Sequence, residues 1–156
     1  MALTKRKIDG RIQAFSEALR DAGLRLTHQR LEIFREIAGT EAHPDVETVF
    51  HRVRVRVPTV SLDTVYRTLT LLEKRGLISR VDVLSGRARY DANTDRHHHF
   101  VCTECGLVRD LHDKALNELP APASAEEFGV VRSAHVQFRG VCSRCAGRKR
   151  RGTRGR

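Results

Sequence analysis

Apolar side chains return every three or four positions through the first half of the chain, the repeat of helices that each bury one face. Ile8, Ile12, Phe15 and Leu19 predict a first helix that closes at Asp21 to Gly23. Leu31, Phe34 and Ile37, with Gly39 following, predict a second. Val46, Val49, Phe50 and Val53 predict a third that opens after His43-Pro44, and Pro58 prevents its continuation. Ser61 suits the N-cap of a fourth, "LDTVYRTLTLLEKRG", whose Val65, Leu69 and Leu72 face inward and whose Gly76 fits the C′ position. Its other face carries Asp63, Tyr66, Arg67 and Thr70.

The period then changes. "LISRVDVL", the turn candidate "SGR" and "ARYDA" predict a short β-hairpin. Helices followed by a two-stranded wing describe a winged helix-turn-helix domain within residues 1–90. Residues 91–96, "DANTDR", are polar and without apolar period, so a hinge is expected there. Beyond it lie strand signals at 97–102, 107–111 and 130–141, a helix signal at 113–119 and a loop at "PAPASAEE". The expected class is α+β, a winged helix-turn-helix domain followed by a small α/β domain over residues 97–145.

Composition narrows the setting. At 156 residues the chain is long enough for two small domains without disulfide support. Its N-terminus has no apolar signal region, and no run approaches the ~18 apolar residues of a membrane span. The expectation is a soluble cytoplasmic protein, and in that reducing setting paired cysteines bind metal more often than each other. The formal charge is +10, of which Arg144, Arg148, Lys149, Arg150, Arg151, Arg154 and Arg156 supply seven, with no acid among residues 144–156. Residues 146–156 are therefore expected to form a disordered basic tail, either a salt-sensitive phosphate contact or a solubilising end.

Cys102-Thr103-Glu104-Cys105 and Cys142-Ser143-Arg144-Cys145 are two CxxC knuckles. Four thiolates complete a tetrahedral, closed zinc site, one per subunit, and the assignment is structural because the ion ties the end of the chain to the start of the second domain. A thioredoxin-like redox pair lacks its usual βαβ setting, and four unligated cysteines are less expected at this spacing.

Beside the first knuckle runs "RHHHF". In a strand His97, His99 and Val101 share one face, and His98, Phe100 and Cys102 the other. If the knuckle turns a hairpin with Cys102 opposite Cys105, His99 stands opposite Val108 and His97 opposite Asp110. Asp110 then joins His97 and His99 in a second metal-ligating cluster, unless a bulge flips it. The bland alternative, surface histidines beside a solvated aspartate, is the weaker one for three in a row, and His98 is expected to be structural.

Taken in order, "AGLRLTHQR", "AHPDVETVF", "VSLDTVYRTLTLLEKRGLI", "ARYD", "HHHFVCTECG" and "GVCSRC" resemble the ferric uptake regulator family of metal-dependent bacterial repressors. The resemblance implies a homodimer binding a double-stranded DNA operator, the second domain being the dimerisation domain. It implies a sensing ion at the hinge, bound by His43, Asp91, His97, His99 and Asp110. His43 and Asp91 enter only through it, since alone they look like a helix-capping residue and a turn aspartate. It also implies DNA contacts by Tyr66 and Arg67 of the fourth helix and by Arg25, where most arginines are simply solvated cations. Nitrogen and oxygen donors without thiolate suit Fe(II) or Mn(II) rather than Cu(I).

Asp at both the 91 and 110 positions resembles peroxide-sensing members, in which bound Fe(II) reacts with peroxide and ligand histidines, His43 and His97 here, are oxidised. "TVYRTL" resembles instead the helix of iron-uptake repressors; the balance leans to peroxide. A zinc-uptake regulator usually recruits a further cysteine, which is absent here. The family's auxiliary metal site is poorly matched, with His98 where an acid can stand and Ala134-His135 in place of its downstream His. The rivals from other classes are a non-haem iron enzyme built on a two-His-one-carboxylate triad, and a zinc-stapled module that binds DNA constitutively. An enzyme leaves the wing, fourth helix and basic tail without a role.

Overall fold

The computed structural model describes residues 3–81 and 86–152, and the chain divides into two units between Thr94 and Asp95. The first unit holds α1 (Lys5–Asp21), α2 (His28–Ala38), α3 (Val46–Arg56) and α4 (Leu62–Lys74), then the antiparallel pair β1 (Ser79–Val81) and β2 (Arg89–Asp91). The wing's expected turn at "SGR" begins at Ser85, outside the described residues.

The helices start and stop where side chains can satisfy their end groups. Thr27, Asp45 and Ser61 each accept the N–H three residues on, at 3.2, 2.8 and 3.1 Å. At the end of α4, Gly76 takes φ +67, and the N–H groups of Gly76 and Leu77 donate to the carbonyls of Glu73 and Leu72. A side chain at position 76 would strain that turn, which is why glycine stops the helix there.

Phe15, Leu19, Ile33, Ile37, Val49, Val53, Val65, Leu69 and Leu72 are buried together from all four helices, and the Phe15 and Phe34 rings stack 4.2 Å apart. One buried acid enters this unit. Glu32, 3 % exposed, sits 2.7 Å from Arg56 Nε and also pairs with Arg35, so its charge is compensated across α2 and α3. Leu69→Ala, which empties a fully buried site beneath the exposed face of α4, is expected to cost about 2–5 kcal/mol in denaturant unfolding of this unit.

The second unit is a three-stranded sheet in the order β4-β3-β5. β3 (His98–Cys102) and β4 (Val108–Leu111) are antiparallel, and β5 (Gln137–Gly140) runs parallel to β3. Two one-turn helices, α5 (Lys114–Asn117) and α6 (Ala123–Glu126), lie in the connection, and α7 (Ser143–Gly152) follows β5.

Several expectations are corrected. The hairpin register is shifted by two: Val101 faces Val108 and His99 faces Asp110, with Cys102 N–H donating to the Leu107 carbonyl. The turn therefore holds four residues, Thr103 to Gly106, with Gly106 at φ +67. Cys105 belongs to the turn and is not Cys102's partner. A shift of two keeps every side chain on its face, so Asp110 stays with His97 and His99.

Of 130–141, only Gln137–Gly140 pairs, beginning where His99 N–H meets the Val136 carbonyl; Val130 is 90 % exposed. "PAPASAEE" contains one helical turn because Pro122, at φ −66, precedes the helix-forming Ala-Ser-Ala-Glu. Within the 91–96 stretch, which also contains the division between the units, residues 91–93 pack in the first unit: Ala92 joins its core and Asn93 N–H donates to Asp91 Oδ1 at 2.7 Å.

The basic tail is helical rather than disordered through Gly152, since the second knuckle supplies a first turn, with Ala146 N–H on the Cys142 carbonyl, and Arg and Lys propagate it. Residues 153–156 of that tail lie outside the described residues.

Candidate metal centres and nucleic-acid interface

The four cysteine sulfurs lie within 4.8 Å of one another. Cys102 ends β3, Cys105 sits in the four-residue turn, Cys142 follows β5 and Cys145 lies in the first turn of α7. The Cys105 and Cys142 sulfurs are 3.8 Å apart, the edge of a tetrahedron whose metal–sulfur bonds are ~2.3 Å. The Cys142 N–H donates to Cys102 Sγ at 3.3 Å; chiefly for this reason, and with help from the N–H groups of Cys105 and Glu104, the Cys102 thiol is depressed to about 6 against the effect of burial. Cys145, beside the Cys142 and Cys105 sulfurs, is pushed up to about 12. Sulfurs this close cannot all ionise without a cation among them, and the all-sulfur, tetrahedrally spaced set fits a closed zinc site.

In the second unit His97 Nε2 and His99 Nε2 are 3.0 Å apart, and each is 3.8 Å from Asp110 Oδ1. The His97 ring is oriented from behind: its Nδ1 lies 2.7 Å from the Asp95 carbonyl, which can only accept. The proton of a neutral ring is thus on Nδ1 and the lone pair on Nε2, facing His99 and Asp110. His98 is fully buried on the other face and its Nδ1 accepts the Val136 N–H at 3.0 Å, bracing the chain where it enters β5.

The first unit has a cluster of its own. His43, 2 % exposed, places Nε2 3.4 Å from Oδ2 of Asp91, 4 % exposed. Two backbone features bring these residues together. His43 adopts φ +48, uncommon for a side-chain-bearing residue, and Tyr90 N–H of β2 donates to the Pro44 carbonyl at 3.1 Å. Arg89 Nη1 adds a contact to the His43 carbonyl at 3.4 Å. The structure thus assembles His43 with Asp91 in one unit, and His97 with His99 and Asp110 in the other. Imidazole and carboxylate are the donors that Fe(II) and Mn(II) accept.

On α4, Tyr66 is 57 % exposed and the Arg67 side chain 80 % exposed, opposite the buried Val65, Leu69 and Leu72. Arg25, exposed between α1 and α2, holds Arg30 Nη1 on its carbonyl at 2.6 Å. Two contacts lie outside the sequence-derived sites, the Asp95 carbonyl behind His97 and the Asp63 carboxylate beside Arg67. The first leaves no side-chain signal, whereas the i,i+4 spacing of Asp63 and Arg67 was available. No described helix is long and apolar enough to cross a membrane.

The sequence profile of the ferric uptake regulator family matches residues 21–138. The chain is 35 % identical over 137 residues to the transcriptional regulator FurA of Mycobacterium tuberculosis, covering 86 % of this chain and 92 % of FurA. It is 28 % identical over 145 residues to the peroxide-responsive repressor PerR of Staphylococcus epidermidis, covering 93 % of this chain and 97 % of PerR. Among solved structures it is similar to the Pseudomonas aeruginosa ferric uptake regulator with manganese, at TM-score 0.65 and 28 % identity, over 82 % of this chain and 97 % of that one.

Proposed function

Because the chain belongs to the ferric uptake regulator family, we propose that it is a metal-dependent transcriptional repressor that binds a double-stranded DNA operator as a homodimer. The observation that carries this reading is one imidazole-carboxylate cluster in each unit, the first of them in the same unit as a recognition helix with outward Tyr66 and Arg67. Cys102, Cys105, Cys142 and Cys145 would hold one structural zinc per subunit. His43, Asp91, His97, His99 and Asp110 would together hold Fe(II) or Mn(II).

The residues' own work is to bias one conformation. A ligand set divided between two units is complete only when both contribute, so the ion favours the arrangement that contributes all five, and fixes the two winged helices of the dimer at a spacing that fits successive major grooves. Apolar side chains exposed on the second unit, Phe128, Val130, Val131, Phe138 and Val141, support its role as the dimerisation surface. Arg67 pairs with guanine, Tyr66 meets a base edge or thymine methyl, and Arg25 reaches the minor groove. The work is binding and not turnover, so no organic substrate is consumed.

The finer reading is peroxide sensing, supported by aspartate at 91 and 110 and by the likeness to PerR. Bound Fe(II) would supply the redox chemistry toward peroxide, and the buried His43 and His97 would be the imidazoles it oxidises. Mass spectrometry of the Fe(II) form after micromolar peroxide is expected to find added oxygen on the peptides carrying His43 or His97, with DNA released. Unmodified peptides would instead favour an iron-uptake repressor, the reading that the Tyr66-Arg67 pair of α4 supports.

A further inference from the structure

The outward face of α4 carries an acid where a DNA-binding surface should resist one. Asp63 lies in the first turn, its side chain 67 % exposed, and every phosphate brought near it is repelled. An exposed i,i+4 pair adds little to stability and an acid in the first helical turn gains only a modest dipole contribution, so the fold does not require an acid on this face. Asp63 Oδ2 lies 2.9 Å from Arg67 Nε. The contact is thus made on the Nε side of the guanidinium, and the two terminal nitrogens are the pair that matches guanine O6 and N7 bidentately.

The surroundings support the same assignment. A cleft of about 270 Å³ runs between the start of α2 and α4, and Thr27, Gln29, Arg30 and Thr64 line it with Asp63 and Arg67. Arg30 is engaged with the Arg25 carbonyl, and Asp63 is the sole carboxylate among the described lining residues. The acid and Arg67 follow one another along the helix in the favourable order, acid N-terminal.

We propose that Asp63 is a positioning residue for base recognition: it holds Arg67 by the Nε side, presents the guanidinium end-on and thereby makes the repressor select guanine at one position of each half-site. The inference rests on the DNA-binding function proposed above. Asp63 trades general affinity for selectivity, since the charge that orients Arg67 also weakens attraction to any duplex. Removing it therefore moves two quantities in opposite directions, which a purely structural role does not.

The test uses the full-length protein, replete with zinc and loaded with Mn(II). Duplexes are selected from a random pool with wild type, and binding is then measured to the selected duplex, to versions with each guanine replaced, and to an unrelated duplex. Wild type is expected to favour guanine at the Arg67 position roughly 10- to 100-fold, a preference lost in Arg67→Ala. Asp63→Ala should lower that preference about fivefold to tenfold and raise affinity for the unrelated duplex about twofold to fivefold at low salt. Asp63→Glu, which keeps an i,i+4 carboxylate, should restore most of the preference.

A guanine preference that depends on Arg67 but survives Asp63→Ala overturns the positioning role alone. A parallel fall in affinity for all duplexes assigns Asp63 to stability and also overturns it. If wild type selects no duplex, the DNA-binding function fails and this inference fails with it.

Discussion

Cys142→Ser is expected to release the structural zinc and unfold the second unit while leaving the first folded. Cys142 follows the edge strand β5, and its N–H and sulfur reach back to Cys102 and Cys105 at the β3 hairpin. The ion would thus cross-link residues some 40 positions apart in sequence. Among the described residues the partly buried apolar neighbours packed against the cysteines are Phe100 and Leu107, few compared with those in the four-helix cluster of the first unit. Zinc sites of this type contribute on the order of 10–16 kcal/mol of apparent binding free energy to folding. Zinc content should fall from one ion per chain to none, the dimer should dissociate in sedimentation, and a melting transition of the helical unit should persist. Retained zinc with an unchanged melting profile would show that the fourth sulfur is dispensable.

His43→Ala is expected to have the complementary effect: zinc, fold and dimer intact, metal-dependent DNA binding lost. His43 is held at φ +48 by the turn into α3, whose N-cap is Asp45, not His43. Its imidazole is 3.4 Å from Asp91, and its removal takes no cap and no strand pairing with it. Even changes to residues that only hydrogen-bond a metal ligand cost about 10- to 100-fold in affinity, and loss of a ligand should cost at least about 100-fold. An ion bound only by the second unit interacts equally with every arrangement of the first, and so shifts no equilibrium between them. DNA affinity of the variant in saturating Mn(II) should therefore match that of the metal-free wild type.

How much of this was legible in the sequence depends on the distance over which each feature is determined. The four long helices and the wing follow from local spacing, caps and Gly76, and the two knuckles from their CxxC spacing. The shared face of His97, His99 and Asp110 followed from strand alternation, yet the register was off by two, because the turn length depends on Gly106 adopting a left-handed conformation. His43 and Asp91 were invisible without a family resemblance, since a backbone hydrogen bond from Tyr90 to Pro44 unites them. The buried Glu32, satisfied from α3 by Arg56, was illegible for a similar reason. The helical continuation past Cys145 was masked by composition: a run of arginines reads as disorder until a preceding turn nucleates it.

The central claim, that a second ion coordinated from both units switches DNA binding, is tested most directly by fluorescence anisotropy of a selected duplex. Mn(II) is titrated into zinc-replete wild type and His43→Ala at fixed protein concentration. Wild type should gain affinity by 30-fold or more, on the order of 2 kcal/mol of coupling, saturating at one Mn(II) per chain, while His43→Ala stays at the metal-free value. Equal affinity of wild type with and without Mn(II), or an undiminished gain in His43→Ala, would contradict it.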